Sequence, residues 1–174
     1  VIDELAAAAG VGEAVADITA QAMRGEIDFD ESYRTRLALL EGLDAAAIDA
    51  LADRLPVNEG LREMVTTLKA RGMTLAIFSG GFLPIARRLQ ADYGFDEVVA
   101  NVLEVEDGKV TGRVVPPVVN GEYKADSLRN LAHRLGVGLE ACIAVGDGAN
   151  DLSMMAAAGL GVAFHAKPAV RAAS

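Results

Sequence analysis

Residues 141–155 read ACIAVGDGANDLSMM, an apolar run followed by a glycine-rich acidic loop and then by an apolar helical pattern. The short, partly β-branched run from Ala141 to Val145 is typical of a buried strand, and the glycines that follow allow the backbone to turn sharply beside a ligand. Asp147 is therefore expected at the carboxyl end of a sheet, where open α/β sheets bind their ligands. Asn150 and Asp151 are expected in the opening turn of the next helix.

The two carboxylates of this loop, Asp147 and Asp151, suit a divalent metal ion. Proteins hold Mg²⁺ through one or two carboxylates, and water and substrate phosphate oxygens complete its shell. An ordinary loop in which Asp and Asn cap the next helix has the same composition. The loop alone therefore leaves two interpretations open, a Mg²⁺ and phosphate site or a helix cap.

From about residue 56 the pattern alternates between helix and strand. Near-continuous apolar strands between helices predict an α/β fold with a Rossmann-like parallel sheet covered on both faces. The Asp107-Gly108 pair between two β-branched runs predicts a hairpin. Strands are predicted at residues 74–78, 97–100, 142–145 and 160–164, and helices at residues 60–71, 125–135 and 150–157, with a further helix that contains Pro84 and ends at Tyr93.

The first 55 residues are helical in pattern throughout, with apolar positions three or four residues apart. Asp44 is a suitable N-cap for a helix over residues 45–54. We expect a small helical cap over residues 1–55 and the α/β core over residues 56–174. Because the chain starts at Val1 and not at Met, and stops soon after Pro168, the core is expected to be incomplete at both ends.

The composition of the chain argues against two classes of binding partner, nucleic acids and membranes. The 174 residues carry a net charge of −9, which argues against a nucleic-acid surface, because phosphate backbones favour dense Lys and Arg. No apolar stretch approaches the ~20 residues of a membrane span, so no membrane partner is expected. The single cysteine, Cys142, has no disulfide partner and is expected to pack in a strand, which favours a reducing cytoplasm. Nothing in the composition indicates an oligomeric state.

Two further motifs suit a phosphate group. Ser79-Gly80-Gly81 follows an apolar strand and precedes a helix, so a hydroxyl and backbone N–H groups are expected where a helix dipole also favours an anion. Lys124 is expected just before a helix, where it could act as a point charge on phosphate. A simple strand-to-helix turn and a solvated lysine are the ordinary alternatives. The order of Ser79, Lys124 and Asp147 along one predicted sheet edge favours a shared site.

This order of motifs resembles the haloacid-dehalogenase-like phosphatases, and within them most closely the phosphoserine phosphatases of serine biosynthesis. The resemblance extends over essentially the whole chain. Residues 146–151, followed by residues 157–161, resemble the acidic motif of that family and its following strand. Residues 78–82 resemble its serine motif and residues 123–125 its lysine motif, while residues 22–25, 28–29 and 34–36 resemble its substrate-enclosing cap.

The resemblance implies a role for each matching residue. Asp147 would bind Mg²⁺, and Asp151 would support the metal through its water shell or a neighbouring hydrogen bond. Ser79 and Gly80 would bind phosphate oxygens, and Lys124 would neutralise charge on the transferring group. At the other positions, Asn150 would contact substrate or phosphate, Arg36 would pair with the substrate carboxylate, and Met23 and Phe29 would line the cap over the amino acid.

The implied reaction is the Mg²⁺-dependent hydrolysis of O-phospho-L-serine to L-serine and phosphate through an aspartyl-phosphate. The family's nucleophile and its acid/base aspartate lie in an Asp-x-Asp motif on a first strand, which would precede Val1. We therefore expect a fragment that is inactive alone and lacks a strand between those ending at Phe78 and Val145. Residues 28–30 spell a paired-aspartate motif, but they lie among helical patterns and are not expected to supply the nucleophile.

Two alternatives remain open from the residues themselves. One is a related phosphatase or phosphotransferase that acts on another small phosphomonoester, since Arg36 addresses only the amino-acid end of the substrate. The other is a non-catalytic module in which Ser79, Lys124 and Asp147 bind Mg²⁺ and phosphate without turnover.

Overall fold

The structure, a computed structural model, describes residues 2–23, 26–166 and 168–173. The chain divides into two compact units, Val1–Pro117 and Val118–Ser174. In the described ranges no helix combines the length and the apolar character that a bilayer crossing requires. The elements of the first unit are helices α1 (Ile2–Ala8), α2 (Gly12–Met23), α3 (Phe29–Ala38), α4 (Ala46–Ala52) and α5 (Leu61–Ala70), strand β1 (Ala76–Phe82), helix α6 (Leu83–Tyr93), and strands β2 (Glu97–Glu106) and β3 (Lys109–Val115).

The helices at the start of the first unit pack their apolar faces together. Leu5, Val15, Leu37 and Leu40 are almost fully buried, and their burial supplies the hydrophobic stabilisation of this part of the unit. Helix α4 is shorter than the helix predicted at residues 45–54, although Asp44 does accept a hydrogen bond from the backbone N–H of Ala46. The spacing of apolar residues therefore predicts helices in this part of the chain correctly, but it predicts the ends of α4 less accurately.

The segment after α3 is hydrogen-bonded to the β2–β3 hairpin. Gly42 N–H donates to Val110 O at 2.8 Å, Val110 N–H donates to Leu43 O at 2.8 Å, and Ala45 N–H donates to Gly108 O at 2.9 Å. These backbone bonds make the helices and the hairpin parts of one packed unit. The division at residue 55 into a cap and a core stays a prediction.

The sheet of the first unit has the order β1-β2-β3. Strands β1 and β2 are parallel, and β2 and β3 are antiparallel up to the pair Glu106↔Lys109. Asp107 and Gly108 between them both have positive φ, 50° and 75°, which is the backbone that a tight hairpin turn requires. The predicted hairpin is confirmed.

Two predicted strand boundaries are wrong. Strand β1 does not stop at Phe78 but runs to Phe82, so the Ser79-Gly80-Gly81 motif lies inside the strand as an irregularity in its pairing. The strand predicted at residues 97–100 and the first arm of the hairpin are one continuous strand, β2. The reason is that β2 changes partner along its length, from β1 to β3, without a break in its backbone.

The second unit contains a parallel pair of strands with a helix between them in sequence. Register runs from Ile143↔Leu160 to Gly146↔Ala163. Ala144 and Met155 are buried, whereas Ile143 and Val145 are about half exposed. The mixed α/β fold class with parallel strands is as predicted. The elements of this unit are helix α7 (Gly121–Leu135), strand β4 (Ile143–Gly146), helix α8 (Leu152–Ala157), strand β5 (Leu160–Ala163) and helix α9 (Pro168–Ala173), with 3₁₀ turns at Leu139–Ala141 and Ala149–Asp151.

Helix α7 begins four residues before the predicted start at residue 125. Its N-cap is Asn120, whose side chain accepts a hydrogen bond from Tyr123 N–H at 3.0 Å. Lys124 thus lies in the first turn of the helix and not ahead of it. Cys142 lies just before β4, where its Sγ contacts Gly138 O at 3.6 Å, so its predicted place inside the strand is also wrong.

Candidate functional site

The acidic loop after β4 is held in shape by one of its own side chains. Asp151 is buried, and its Oδ2 accepts hydrogen bonds from the backbone N–H groups of Asp147 and Gly148, at 3.1 Å each. A Cβ at Gly146 would overlap the Asp151 side chain, so glycine is required there by close approach. The Asp147 carboxylate itself is exposed. The loop therefore presents one carboxylate and uses the other to fix its backbone.

The second oxygen of Asp151 belongs to a buried ion pair. Lys124 Nζ donates to Asp151 Oδ1 at 2.7 Å, and the two side chains are only 5% and 9% exposed. An isolated buried charge would cost several kcal/mol, so each group requires the other. An ammonium group has three donors, and this bond uses one of them. The pair therefore holds a cation beside the acidic loop.

Helix α7 also brings its own partial positive charge to this region. A Cβ at Gly121 would lie 3.2 Å from Asn150 O, so the first turn of α7 approaches the loop closely. Unpaired N–H groups make the start of a helix electropositive. With Lys124 in the same turn, the positive helix end and the ammonium would both favour an anion near the loop.

The donor set suits Mg²⁺ with Asp147 as the direct ligand. Among the described residues there is no cluster of three or more His, Cys, Asp or Glu side chains that could hold a metal. Mg²⁺ does not require one, because it takes one or two carboxylates and fills the remaining positions with water and phosphate oxygens. Both Asp151 oxygens are already bonded to Lys124 and to the loop amides. Asp151 therefore fits a supporting role better than direct ligation.

Asn150 and Ser153 connect the loop to its surroundings. A Cβ at Gly148 would lie 2.6 Å from Asn150 Oδ1, which places the amide against the loop backbone. The Ser153 hydroxyl donates to Glu122 Oε1 at 2.7 Å and joins α8 to the first turn of α7. The contact of Asn150 with substrate or phosphate stays a prediction.

The serine motif in the first unit forms a small bulge within β1. Gly81 N–H donates to Ser79 Oγ at 3.0 Å, and Gly80 O accepts a hydrogen bond from Asn101 Nδ2 at 2.9 Å. Pairing with β2 shifts register between Ser79 and Phe82, which leaves Gly80 and Gly81 out of the ladder. Sequence reasoning missed Asn101. An amide side chain between Ala100 and Val102, within the otherwise apolar run of residues 98–103, was the available signal.

Arg36 lies on α3 and is half-buried. Its Nε donates to Ser32 O at 3.2 Å, which anchors the guanidinium to its own helix. Burial raises the pKa of the neighbouring Tyr33 hydroxyl, and the charge of Arg36 opposes part of that rise. The predicted role of Arg36 on a carboxylate stays a prediction.

Part of the predicted cap falls outside what the structure describes. Arg24 and Gly25 are outside the described residues, and so are the side chains of Met23 and Phe29. Asp28, by contrast, accepts a hydrogen bond from Glu31 N–H at 2.7 Å and caps α3. Its place at the start of a helix agrees with the expectation that residues 28–30 are not a strand-end nucleophile motif.

The structure thus brings the predicted residues together in two groups. Lys124, Asp147, Asn150 and Asp151 lie around one loop of the second unit. Ser79 and Gly80 lie in one bulge of the first unit. The convergence of both groups on one substrate stays a prediction.

Comparison with known proteins gives a consistent result. The family model described as haloacid dehalogenase-like hydrolase matches residues 3–156. The chain is 48% identical over its full length to the phosphoserine phosphatase of Streptomyces coelicolor, of which it spans 42%. It is 44% identical over 99% of its length to the phosphoserine phosphatase of Lactococcus lactis, of which it spans 80%. It therefore spans about half the length of many of its relatives and most of the length of others.

Solved structures show the same likeness. A structure described as a substrate-bound phosphoserine phosphatase complex superposes with a TM-score of 0.92 at 41% identity, over 99% of this chain and 82% of that one. At that identity the likeness extends to sequence as well as to fold.

Proposed function

Because the chain belongs to the haloacid-dehalogenase-like hydrolase family, we propose that it serves the Mg²⁺-dependent hydrolysis of O-phospho-L-serine to L-serine and phosphate. The proposal is supported by relatives at 44% to 48% identity that are named phosphoserine phosphatases. The observation that carries it is the buried Lys124–Asp151 pair beside the exposed Asp147. A cation fixed next to a carboxylate that is open to a metal suits a phosphate dianion.

Lys124 has the task of balancing charge. Its ammonium cannot turn away, because Asp151 holds it at 2.7 Å, and burial keeps bulk water from screening it. Groups that are fixed in advance near developing charge require no reorganisation during the reaction. In this proposal Lys124 and the start of α7 neutralise the oxygens of the transferring phosphoryl group.

Asp147 would hold Mg²⁺, with Asp151 behind it and Asn150 close by. When bound, the metal would supply positive charge to a phosphate oxygen and orient it. The contribution of the chain is to keep the Asp147 backbone fixed, which Asp151 Oδ2 does through the amides of Asp147 and Gly148. Loss of Asp147 should therefore remove the metal ligand, whereas loss of Asp151 should disturb the loop that presents this ligand.

Ser79 and Gly80 are assigned to the phosphate oxygens, and Arg36, Met23 and Phe29 to the amino-acid end. The planar guanidinium of Arg36 matches a carboxylate in a bidentate manner. This contact would distinguish phosphoserine from esters without an α-carboxylate. We also place the reaction in the cytoplasm, a choice supported by the single cysteine of the chain.

The direct experiment is an assay of phosphate release. The protein is assayed as expressed from its full-length gene. L-phosphoserine is compared with phosphoethanolamine, the same ester without the α-carboxylate, each with Mg²⁺ and with EDTA. Phosphoserine is expected to be the better substrate by kcat/KM, and EDTA is expected to abolish release. Equal kcat/KM values for the two substrates would indicate that the natural substrate is another small phosphomonoester. Absence of phosphate release from both would contradict the proposed hydrolysis.

A further inference from the structure

Asn101 is a buried polar residue that the proposed reaction has not used. Its side chain is 1% exposed and lies in β2, next to the buried Ala100. A buried amide is unfavourable unless it is hydrogen-bonded, so its burial between Ala100 and Val102 requires a partner. Among its contacts, Nδ2 donates to the backbone oxygen of Gly80 at 2.9 Å. Asn101 therefore contacts the serine motif directly, across the sheet.

The pairing of the two strands explains why Gly80 needs this contact. Ser79 pairs with Ala100, and the next pair is Phe82 with Asn101. Strand β1 thus advances three residues while β2 advances one, and Gly80 and Gly81 are left over as a bulge. A bulged peptide has no ladder partner for its carbonyl. The side chain of Asn101 supplies the missing donor.

The bond to Gly80 O fixes a whole peptide plane. Gly80 O and Gly81 N–H belong to the same planar unit, so they cannot turn independently. Asn101 holds the oxygen, and Ser79 Oγ accepts the N–H at 3.0 Å. Glycine has the greatest backbone freedom of any residue, so two adjacent glycines without such contacts would populate several conformations. The two hydrogen bonds together select one.

We propose that Asn101 is a positioning residue for phosphate, acting through the Gly80–Gly81 peptide to hold the Ser79 hydroxyl and the bulge in the phosphate-binding conformation. This inference rests on the proposed function, in which Ser79 and Gly80 bind phosphate oxygens. Asn101 itself makes no contact with substrate in this account. Its removal should loosen the bulge and weaken phosphate binding, while metal use through Asp147 in the second unit should stay unchanged.

A merely structural role would predict a different result. The bond also joins β1 to β2, so its loss should lower the melting temperature whatever the bulge does. Val110 is a matched control, because it is 1% exposed and lies in β3 of the same sheet, where it pairs with Val105 of β2. Val110→Ala should also lower the melting temperature through lost apolar contacts. Of these two positions, only Asn101 should alter phosphate affinity when it is replaced.

The test uses the protein from its complete gene and four variants, Asn101→Leu, Asn101→Thr, Ser79→Ala and Val110→Ala. Leu has the branching of Asn but no hydrogen-bond donor, and Thr keeps a hydroxyl that is too short to replace the amide. The readouts are the inhibition constant of inorganic phosphate, kcat and KM for phosphoserine, the Mg²⁺ concentration for half-maximal rate, and the melting temperature.

For Asn101→Leu we expect the inhibition constant of phosphate and KM to rise by about fivefold to fiftyfold, the range that corresponds to one lost hydrogen bond to a buried group. In Asn101→Leu the Mg²⁺ concentration for half-maximal rate should change by less than about twofold. Val110→Ala should alter neither the inhibition constant of phosphate nor KM, although its melting temperature is lower. If Asn101→Leu does not fold, Asn101→Thr is expected to show the same rise, because its hydroxyl cannot replace the bond to Gly80 O.

An unchanged phosphate constant in a folded Asn101 variant, with Ser79→Ala impaired, would overturn the inference and leave the proposed function intact. An unchanged constant in Ser79→Ala would remove the serine motif from the phosphate site and would overturn the inference, whereas the proposed hydrolysis fails only if no phosphate is released from phosphoserine. A parallel rise in Val110→Ala would assign the effect to general loss of stability and would likewise overturn the role of Asn101.

Discussion

Lys124 Nζ lies 2.7 Å from Asp151 Oδ1, and both side chains are buried. The other oxygen of Asp151 accepts hydrogen bonds from the backbone N–H groups of Asp147 and Gly148. One carboxylate therefore joins the first turn of α7 to the loop after β4. The position of the lysine and the shape of the acidic loop depend on the same group.

Asp151→Asn should be strongly destabilising. Removal of one partner from a buried ion pair leaves the other charge without compensation, at a cost of about 3–5 kcal/mol in the free energy of unfolding. Urea unfolding of the variant and the parent protein measures this. The control is Asp126→Asn, which breaks an exposed pair with Arg129 on the same helix and should cost about 1 kcal/mol or less. Equal losses in the two variants would show that burial of the Lys124 pair does not matter.

Ser79→Ala should weaken phosphate binding and leave the fold intact. The variant loses a hydroxyl that accepts a hydrogen bond from Gly81 N–H, so the bulge loses one of its two contacts as well as the group proposed to bind phosphate. The inhibition constant of phosphate should rise by about tenfold, measured by steady-state kinetics. Thr66→Ala removes a hydroxyl that bonds only its own helix in α5 and serves as the control. A parent-like constant in Ser79→Ala would remove Ser79 from the site.

Arg36→Lys should weaken recognition of the α-carboxylate of the substrate and leave recognition of its phosphate unchanged. A lysine keeps the charge but loses the planar fork that matches a carboxylate, so KM for phosphoserine should rise by about tenfold. Hydrolysis of phosphoethanolamine, which has no α-carboxylate, should be unchanged. Arg54→Lys is the control, because Arg54 is exposed and its Nε likewise donates to a carbonyl four residues earlier, Ala50 O at 3.0 Å. If both substrates lose activity to the same degree, Arg36 acts on phosphate or on the fold instead.

The contact between Asp96 and the start of β1 predicts a pH dependence of stability. The Leu75 N–H and the Lys69 ammonium, at 2.9 Å and 2.6 Å, hold the pKa of Asp96 below its ordinary value. A lowered folded-state pKa contributes stability above the unfolded pKa of about 3.9, and that stability is lost as pH falls through the folded value.

Asp96→Asn should therefore have a lower melting temperature than the parent at pH 7. The difference should shrink as pH falls below about 4, because the carboxylate becomes protonated there in the unfolded chain and, at still lower pH, in the folded protein as well. Glu59→Gln, at an exposed position of the same unit, should show little difference at either pH. A difference for Asp96→Asn that is constant from pH 7 to pH 3 would show that charge is not the cause.

Local patterns predicted the parts of the fold that local physics determines. The apolar run before Asp147 and the glycines around it are sufficient to indicate a strand followed by a ligand loop, because strand burial and tight turns are encoded within a few residues. The Asp107-Gly108 hairpin is predictable for the same reason. Membership of the haloacid-dehalogenase-like family followed from the order of such motifs, and it is confirmed.

Contacts between distant segments were not predictable in this way. Lys124 is an ordinary solvated lysine by its sequence context, and only its bond to Asp151, 27 residues away, explains its burial. Asn101 reaches Gly80 across 21 residues and depends on a register shift that no local pattern encodes. The sequence predicts two strands where the structure has the single strand β2, because no local pattern shows that one strand can pair with β1 along its first half and with β3 along its second half.

The most direct measurement is the Mg²⁺ dependence of phosphate release from L-phosphoserine, for the protein from its complete gene and for its Asp147→Asn variant, with Asp126→Asn as the control. We predict release that EDTA abolishes, and a Mg²⁺ concentration for half-maximal rate that rises at least about tenfold in Asp147→Asn and is unchanged in Asp126→Asn. Phosphate release that persists in EDTA, or that has the same Mg²⁺ dependence in Asp147→Asn as in the parent, would contradict the account.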